Sequence, residues 1–399
     1  MNIPSLIGKL ISNIVIKKFR VPGLSIKTPD GKITHLSNNS EKDLGVININ
    51  DWSFFWDVAI GFDLGMAKAY LEEKWDHSNL SNLSNLFKNI SNESGKTNFS
   101  YMGKIAPLKL YSLIWQSIKS SNNKKWAEKN VRSHYDISNE FFEIFLDPTM
   151  TYSCAIFNNK DVGLEKAQAT KISDILKYSE IQSNDSVLDI GCGWGSLSIR
   201  AAKDFEANVT GVTLSNNQYI YANKKVVTEK LSDNVIIKYD DYRNITGNYD
   251  RIFSIEMLEA VGHTGVTDFF KKCSDLLKDD GTVQIQIITI PDNKYESYKN
   301  NCDFIQKYVF PGGLLLSLDN IKKASEKFGF EITKKVEIGE HYAKTLSHWR
   351  EKLEQNFPNF SHPTLSTYDY KKFFYYFSYC EGGFLSKNIS AYQITLKKS

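Results

Sequence analysis

The stretch Val187-Leu-Asp-Ile-Gly-Cys-Gly-Trp-Gly-Ser196 holds the residues of this chain best suited to chemistry. An apolar run carrying Asp189 leads into a turn containing Gly191, Gly193 and Gly195, and Leu197 to Phe205 continues with helical character. Glycines at that spacing let the backbone turn tightly and approach a ligand closely at the carboxyl end of a strand, the geometry of a nucleotide-type pocket. The dinucleotide fingerprint needs G-x-G-x-x-G and, about 20 residues on, an acidic residue for the ribose. Here the spacing is G-x-G-x-G, and the next strand, Asn208 to Leu214, ends in Thr213-Leu214-Ser215 without a carboxylate. A nicotinamide dinucleotide is therefore not expected.

The elements that must hold this turn are readable on both sides of it. Val187–Ile190, Asn208–Thr213, Val235–Tyr239, Arg251–Ser254 and Gly281–Ile290 have strand character, with helices over Gln218–Leu231 and Gly265–Leu277 between them. Strands separated by helices argue an α/β fold, a doubly wound and mostly parallel sheet. Ile321–Phe330 reads as a further helix, Glu331–Val336 as a strand and Ala391–Lys397 as an alternating final strand. Ahead of this, Leu24–Lys27, the turn Pro29-Asp-Gly31 and Ile33–Leu36 form a β-hairpin, which Val46–Ile49, Trp52–Ile60 and a helix ending at Trp75 extend into a smaller mixed α/β domain. Composition turns to Asn and Ser over Asn79–Gly95, and Ser120–Lys125 is the best linker candidate. The expected division is residues 1–120 and 121–399.

The bulk numbers agree with two domains or more: 399 residues and 41% hydrophobic content can bury a large core. A net charge of +3 is too mild for a nucleic-acid partner but compatible with an anionic membrane surface. The 5 cysteines show no C-x-x-C pair, so neither a disulfide framework nor a metal site is expected, and a reducing cytoplasm fits. No apolar run reaches the ~20 residues of a membrane span, and no secretory signal pattern is read at the N-terminus. Ile3, Leu6, Ile7, Leu10, Ile11, Ile14 and Val15 lie at helical spacing ahead of Lys17, Lys18 and Arg20. That pattern fits a helix on a membrane surface; the plainer reading is a helix packed on its own domain.

A strand ending in Asp189-x-Gly-x-Gly-x-Gly resembles the first motif of S-adenosylmethionine-dependent methyltransferases. Further stretches sharpen this: His134-Tyr135-Asp136-x-Ser138-x-x-Phe141-Phe142, Tyr152-Ser153-Cys154-Ala155, Gly211–Ser215 with Gln218, Phe310-Pro-Gly-Gly313, His341–Leu346 and Tyr379-Cys380-Glu381. Together, from about Val131 to the C-terminus, they resemble the cyclopropane-fatty-acyl-phospholipid synthase and mycolic acid methyltransferase family. The resemblance implies methyl transfer from S-adenosylmethionine to a cis double bond of a phospholipid acyl chain, followed by proton loss from the carbocation and cyclopropane closure. It also implies work at the inner membrane face, and a homodimer would be compatible with it. By matching motif, the cofactor falls to Tyr152, Ser153, Asp189, the Gly191–Gly195 turn, Thr213, Leu214, Gln218, Tyr242 and Arg243, with Tyr135 as a cofactor or lid residue and Asp241 facing the adenine amino group. The base implied is a bicarbonate ion held by Cys154, Glu259, Tyr342 and the Ile288 backbone. Cys380 matches a segment for which a nucleophile has been suggested, although methylating an alkene needs none. Taken singly, Cys154 also reads as a small buried hydrophobe, Glu259 as a helix-surface residue and Tyr342 as a packed aromatic.

Two positions depart from the family pattern. Glu259 is followed by Ala260 where many members have histidine, and Gln286 stands where they have a histidine ahead of Ile288. Glutamine donates a hydrogen bond but does not titrate. Methyl transfer is untouched by this, while a methyl-branched or methylene product becomes the alternative to the ring. Methylation of a small amine is the other enzymatic alternative.

Overall fold

A computed structural model of the chain describes residues 2–18, 21–36, 43–94, 137–159, 162–360 and 366–398. Two compact units divide it: Met1–Ser117 with Asn300–Val309 and Leu353–Asn388, and Ile118–Lys299 with Phe310–Lys352 and Ile389–Ser399. The expected boundary near residue 120 lies outside the described residues, as do the linker candidate and Tyr135. The first unit is not the continuous N-terminal segment expected from the sequence, because two later segments join it.

The first unit opens with α1 (Ile3–Lys18), β1 (Leu24–Lys27), β2 (Ile33–His35), β3 (Gly45–Ile49), α2 (Ser53–Leu71), β4 (Trp75–His77) and α3 (Leu83–Ser94). Its sheet has the order β2-β1-β3-β4, with the β1–β2 hairpin antiparallel and β1 parallel to β3. Ile26, Ile47, Phe55 and Trp75 are buried over it, and the Trp75 indole donates to the Met66 carbonyl at 2.8 Å. The two segments read as Trp52–Ile60 and Gly65–Trp75 are one helix bent at Phe62, whose φ of 49° is non-helical.

In α1 it is the small residues that face inward. Ser5, Gly8 and Ser12 are buried with Val15 and Ile16, and a Cβ on Gly8 would lie 2.0 Å from the Trp52 carbonyl oxygen. Only glycine allows that approach to α2. Of the apolar stripe, Ile3 (75% exposed), Leu10 (74% exposed), Leu6 and Ile14 point away, the last two more than half exposed, while Ile7 and Ile11 are half-buried and Val15 is buried. The helix packs on its own domain, as the plainer reading has it, but it does so through the small residues with Val15 and Ile16, and leaves Ile3, Leu6, Leu10 and Ile14 exposed.

The second unit runs through α4 (Asn139–Glu143), α5 (Leu164–Tyr178), β5 (Ser186–Ile190), α6 (Ser196–Phe205), β6 (Asn208–Thr213), α7 (Asn216–Thr228), β7 (Val235–Tyr239), β8 (Tyr249–Ile255), α8 (Gly262–Leu276), β9 (Leu277–Thr289), α9 (Asp292–Lys299), α10 (Leu318–Glu326), β10 (Phe330–Glu337) and α11 (Gly339–Asn356). The chain returns to the first unit in α12 (Thr367–Leu385), and β11 (Ser390–Lys398) closes the sheet of the second. That sheet has the order β10-β11-β9-β8-β5-β6-β7. All its pairs are parallel except those of β11, which is antiparallel to both neighbours. Val187, Leu188, Ile252, Val283 and Ile285 are fully buried, as parallel strands covered on both faces must be. The winding reverses between β5 and β8, and in such sheets ligands bind at the carboxyl ends of the strands flanking that reversal.

Candidate active site

The glycine turn sits at that reversal. Gly191, Gly193 and Gly195 have φ of 80°, 56° and 86°, left-handed values that side chains with a Cβ adopt only under strain. The Gly191 and Cys192 amides donate to the Val212 carbonyl on β6 at 2.9 and 3.0 Å, pinning the turn to the neighbouring strand. A Cβ at Gly193 would meet nothing within 4 Å, whereas one at Gly191 would lie 2.9 Å from Met257 Cγ. Gly193 thus borders open space, and the end of β8 lies against Gly191. Asp189 is buried beneath the turn, accepting from the Ser198 hydroxyl at 2.7 Å, and burial raises its carboxyl to about 6.

At the end of β6 the Thr213 hydroxyl donates to Gln218 Oε1 at 2.7 Å, and Ser215 caps α7 by accepting from the Gln218 amide. Thr213 and Gln218 are buried and Leu214 is half-buried beside them. After β7, Asp241 takes three hydrogen bonds from Arg243, 2.8 and 2.9 Å to Oδ1 and 2.5 Å to Oδ2. Arg243 therefore serves first to fix the Asp241 carboxylate. The Tyr242 ring packs edge-on against Phe269, and burial raises its hydroxyl well above the usual tyrosine range.

From the glycine turn a chain of rings leads to a group of carboxylates. Trp194 packs on Phe142 at 5.0 Å, Phe142 on Tyr152 at 5.4 Å, Tyr152 on Trp349 at 5.1 Å and Trp349 on Tyr342 at 6.3 Å. Tyr342, Thr345 and Trp349 share one face of α11 through i, i+3, i+7 spacing. The Thr345 hydroxyl accepts from the Ala155 amide at 3.0 Å and His341 Nδ1 from the Phe157 amide at 3.2 Å, so α11 holds the Cys154 segment in place.

The donors of this region meet on one residue, Glu256. Its carboxylate accepts from the Tyr342 hydroxyl at 2.6 Å, from Gln286 Nε2 at 2.8 Å and from the Cys154 amide at 2.9 Å. Gln286 is fully buried and is itself oriented by Gln393 Nε2, which donates to its Oε1 at 3.0 Å. Glu256 has a φ of 54°, a strained backbone of the kind that clusters at functional sites. Burial raises its carboxyl above the usual range while the three donors pull the other way.

Glu259 follows on a short 3-10 turn, Leu258–Ala260. Its Oε1 accepts from the Ile288 amide at 2.7 Å, and among the described residues its buried Oε2 has no partner. Burial first and the Glu256 charge second raise this carboxyl to about 8. Its carbonyl accepts from the Leu314 amide at 2.8 Å, which is how the Phe310–Gly313 motif bears on the site. Lys171, buried on α5, donates to the Ser153 hydroxyl at 2.8 Å, and burial lowers its ammonium to about 8 against the pull of Glu256.

The sequence profile of the mycolic acid cyclopropane synthetase family matches residues 122–394. The chain belongs to this family. It is 33% identical over 341 residues to the tuberculostearic acid methyltransferase of Mycobacterium tuberculosis, covering 84% of this chain and 78% of that one. A probable fatty acid methyltransferase of Pseudomonas putida is 35% identical over 239 residues, 59% of this chain and 61% of its own. Among solved structures, a mycolic acid cyclopropane synthase complexed with SAH and CTAB matches with a TM-score of 0.64 and 32% identity over 68% of this chain and 98% of that one. A coclaurine N-methyltransferase, at 20% identity and a TM-score of 0.63, shares the fold. The second unit is thus a class I S-adenosylmethionine-dependent methyltransferase, and the fold expected from the sequence is the one observed.

The Cys154 amide, Gln286 and Tyr342 meet at Glu256, and the Ile288 amide meets Glu259 three residues on. The glycine turn, Thr213 and Gln218 fit S-adenosylmethionine: a cradle that a side chain would fill lies beside a buried hydroxyl–amide pair at the switch point. Tyr152 and Ser153 lie between that turn and the carboxylates. Bicarbonate does not fit in the same way, because the Tyr342 hydroxyl and Gln286 amide are engaged by Glu256 and the Ile288 amide by Glu259. Cys380 lies on α12 in the first unit, and burial raises its thiol well above the usual range, which makes a poor nucleophile. Glu256 was missed by sequence reasoning; its signal is a second carboxylate at the end of the apolar strand Arg251–Ile255, three residues ahead of Glu259.

Proposed function

We propose that the protein transfers the methyl group of S-adenosylmethionine to a cis double bond of an unsaturated phospholipid acyl chain, followed by proton loss and, as the main product, a cyclopropane. When bound, S-adenosylmethionine supplies an electrophilic methyl on a sulfonium. The chain's own residues set the rest. Thr213, Leu214, Gln218 and the glycine turn would hold the adenosine and amino acid portions, and the ring series from Trp194 to Tyr342 offers π faces tolerant of a substrate carbocation. Buried carboxylates at the end of that series supply the acid–base groups.

The observation that carries this reading is the placement of Glu256 and Glu259 beside the glycine turn, one carboxylate held by three donors and the other raised to about 8. A buried base within an aromatic wall suits quenching a carbocation. Work at a membrane surface, on the cytoplasmic face, is part of the proposal. The exposed stripe Ile3, Leu6, Leu10 and Ile14, followed by Lys17 and Lys18, supports it, and among the described residues no helix is long and apolar enough to cross a membrane.

The test is incubation with S-adenosylmethionine and vesicles of a monounsaturated phospholipid, with a small-amine panel in parallel. The expected product is an acyl chain one CH2 heavier that has lost its alkene. Methylation of the amines with unchanged acyl chains would overturn the reading.

A further inference from the structure

In this site the groups expected to grip a small carbonate-type anion grip a side chain instead. Tyr342 Oη, Gln286 Nε2 and the Cys154 amide converge on the carboxylate of Glu256 at 2.6, 2.8 and 2.9 Å. A carboxylate presents the same two oxygens with the same negative charge as bicarbonate, and as an acceptor it needs just such donors. The backbone bends to bring it there, since Glu256 occupies a left-handed φ of 54°, a conformation costing a residue with a Cβ of order 1–3 kcal/mol. The Gln286 that replaces a titrating histidine completes the arrangement. Fixed by Gln393, it aims its amide N–H at Glu256 and at the Cys154 carbonyl, the latter at 3.3 Å.

We propose that Glu256 is the built-in proton acceptor of the methylation, occupying the place of an exogenous bicarbonate and making the enzyme independent of it. The inference rests on the olefin-methylating reading above. After methyl transfer the cationic carbon lies next to the carbon bearing the new methyl. A Glu256 oxygen takes one proton from that methyl, and the C–H electron pair becomes the bond that closes the ring and neutralises the cation. If a hydride first shifts from the methyl-bearing carbon to the cationic carbon, the same proton removal gives a methylene branch. In either case Glu256 becomes a neutral carboxylic acid and releases the proton to water before the next turnover. Three donors divide over its two oxygens, leaving one lone-pair direction for the proton. Glu259, its proton held at neutral pH, keeps a second negative charge from facing Glu256.

The experiment compares wild type and Glu256→Gly in carbonate-free buffer and with added bicarbonate. Glycine is free of strain at this φ, so the variant keeps the backbone and opens the donors. Wild-type turnover is expected to be unchanged by removing carbonate. Glu256→Gly is expected to lose roughly 100-fold or more, the range of a lost general base, and to recover at least about 10-fold of it with bicarbonate. Line broadening of carbon-13 bicarbonate is expected with Glu256→Gly and not with wild type, and it needs neither acyl chain nor cofactor. A wild type that requires bicarbonate, or a Glu256→Gly enzyme fully active without it, overturns the proposal. So does a folded Glu256→Gly, checked by its thermal transition, that neither binds bicarbonate nor is rescued by it. Glu256→Gln serves should glycine unfold the chain: it preserves shape, removes the base, and is expected to be inactive with or without bicarbonate. Should wild type methylate no olefin at all, the functional reading fails, while the bicarbonate signal still reports on the anion site.

Discussion

Replacing Gly193 and Gly191 in turn by alanine separates a ligand cradle from a structural turn. Both glycines have left-handed φ, 56° and 80°, and a Cβ there costs roughly 1 kcal/mol. At Gly191 the added methyl also lies 2.9 Å from Met257 Cγ and 3.1 Å from its Cβ, an overpacking worth about 1–3 kcal/mol more. At Gly193 it meets no protein atom within 4 Å. In a unit of this size, about 1 kcal/mol shifts the melting temperature by roughly 2–4 °C. Gly193→Ala is therefore expected to melt about that much lower, and Gly191→Ala by roughly twice as much or more. Calorimetric binding of S-adenosylhomocysteine is the decisive readout. The Gly193 methyl occupies space meant for the ligand, so affinity should fall at least about 10-fold, or about 1.4 kcal/mol. A Gly193→Ala protein that binds S-adenosylhomocysteine like wild type would refute the assignment of this turn as the cradle.

Glu259→Gln, neutral like the protonated Glu259 and still able to accept from the Ile288 amide, is expected to keep turnover on monounsaturated phospholipid within about ten-fold and S-adenosylhomocysteine affinity within about two-fold, since the turn and the Thr213–Gln218 pair are untouched; complete loss of turnover would mean that the Glu259 proton takes part in the reaction. Its carboxyl also makes stability depend on pH. The fold holds this proton up to about 8, whereas the usual value is 4.5, so the contribution is full below 4.5 and is lost as pH rises toward about 8. Denaturant midpoints should decline over that window, and the decline should be shallower in Glu259→Gln. Leu6→Asp with Leu10→Asp is expected to weaken binding to anionic vesicles, as each exposed leucine that enters lipid contributes up to about 1.5–3 kcal/mol, without changing the melting temperature by more than about 2 °C; unchanged vesicle sedimentation would remove α1 from the membrane contact.

Where local pattern and chemistry coincide, the site was legible in the sequence. The strand Val187–Ile190, its glycine turn and the order of strands and helices that follow all stand where periodicity and turn residues put them. The resemblance drew Cys154, Glu259, Gln286, Ile288 and Tyr342 from distant positions into one site. What stayed hidden is non-local. Nothing in the run Glu256-Met-Leu-Glu259 says which carboxylate takes the donors, because that depends on α11 and β9 arriving with Tyr342 and Gln286. The return of residues 300–309 and 353–388 to the first unit carries no local mark either. In α1 the apolar and small residues both repeat at helical spacing, and the choice of inward face turns on one close approach, Gly8 to Trp52.

The most direct measurement uses S-adenosylmethionine carrying three deuteriums on its methyl, with a monounsaturated phospholipid, and reads the label in the isolated acyl chain by mass spectrometry. Methyl transfer followed by proton abstraction from the new methyl predicts a chain that keeps two of the three deuteriums. Acyl chains with all three deuteriums, or with none while label accumulates on a headgroup or amine, would contradict it.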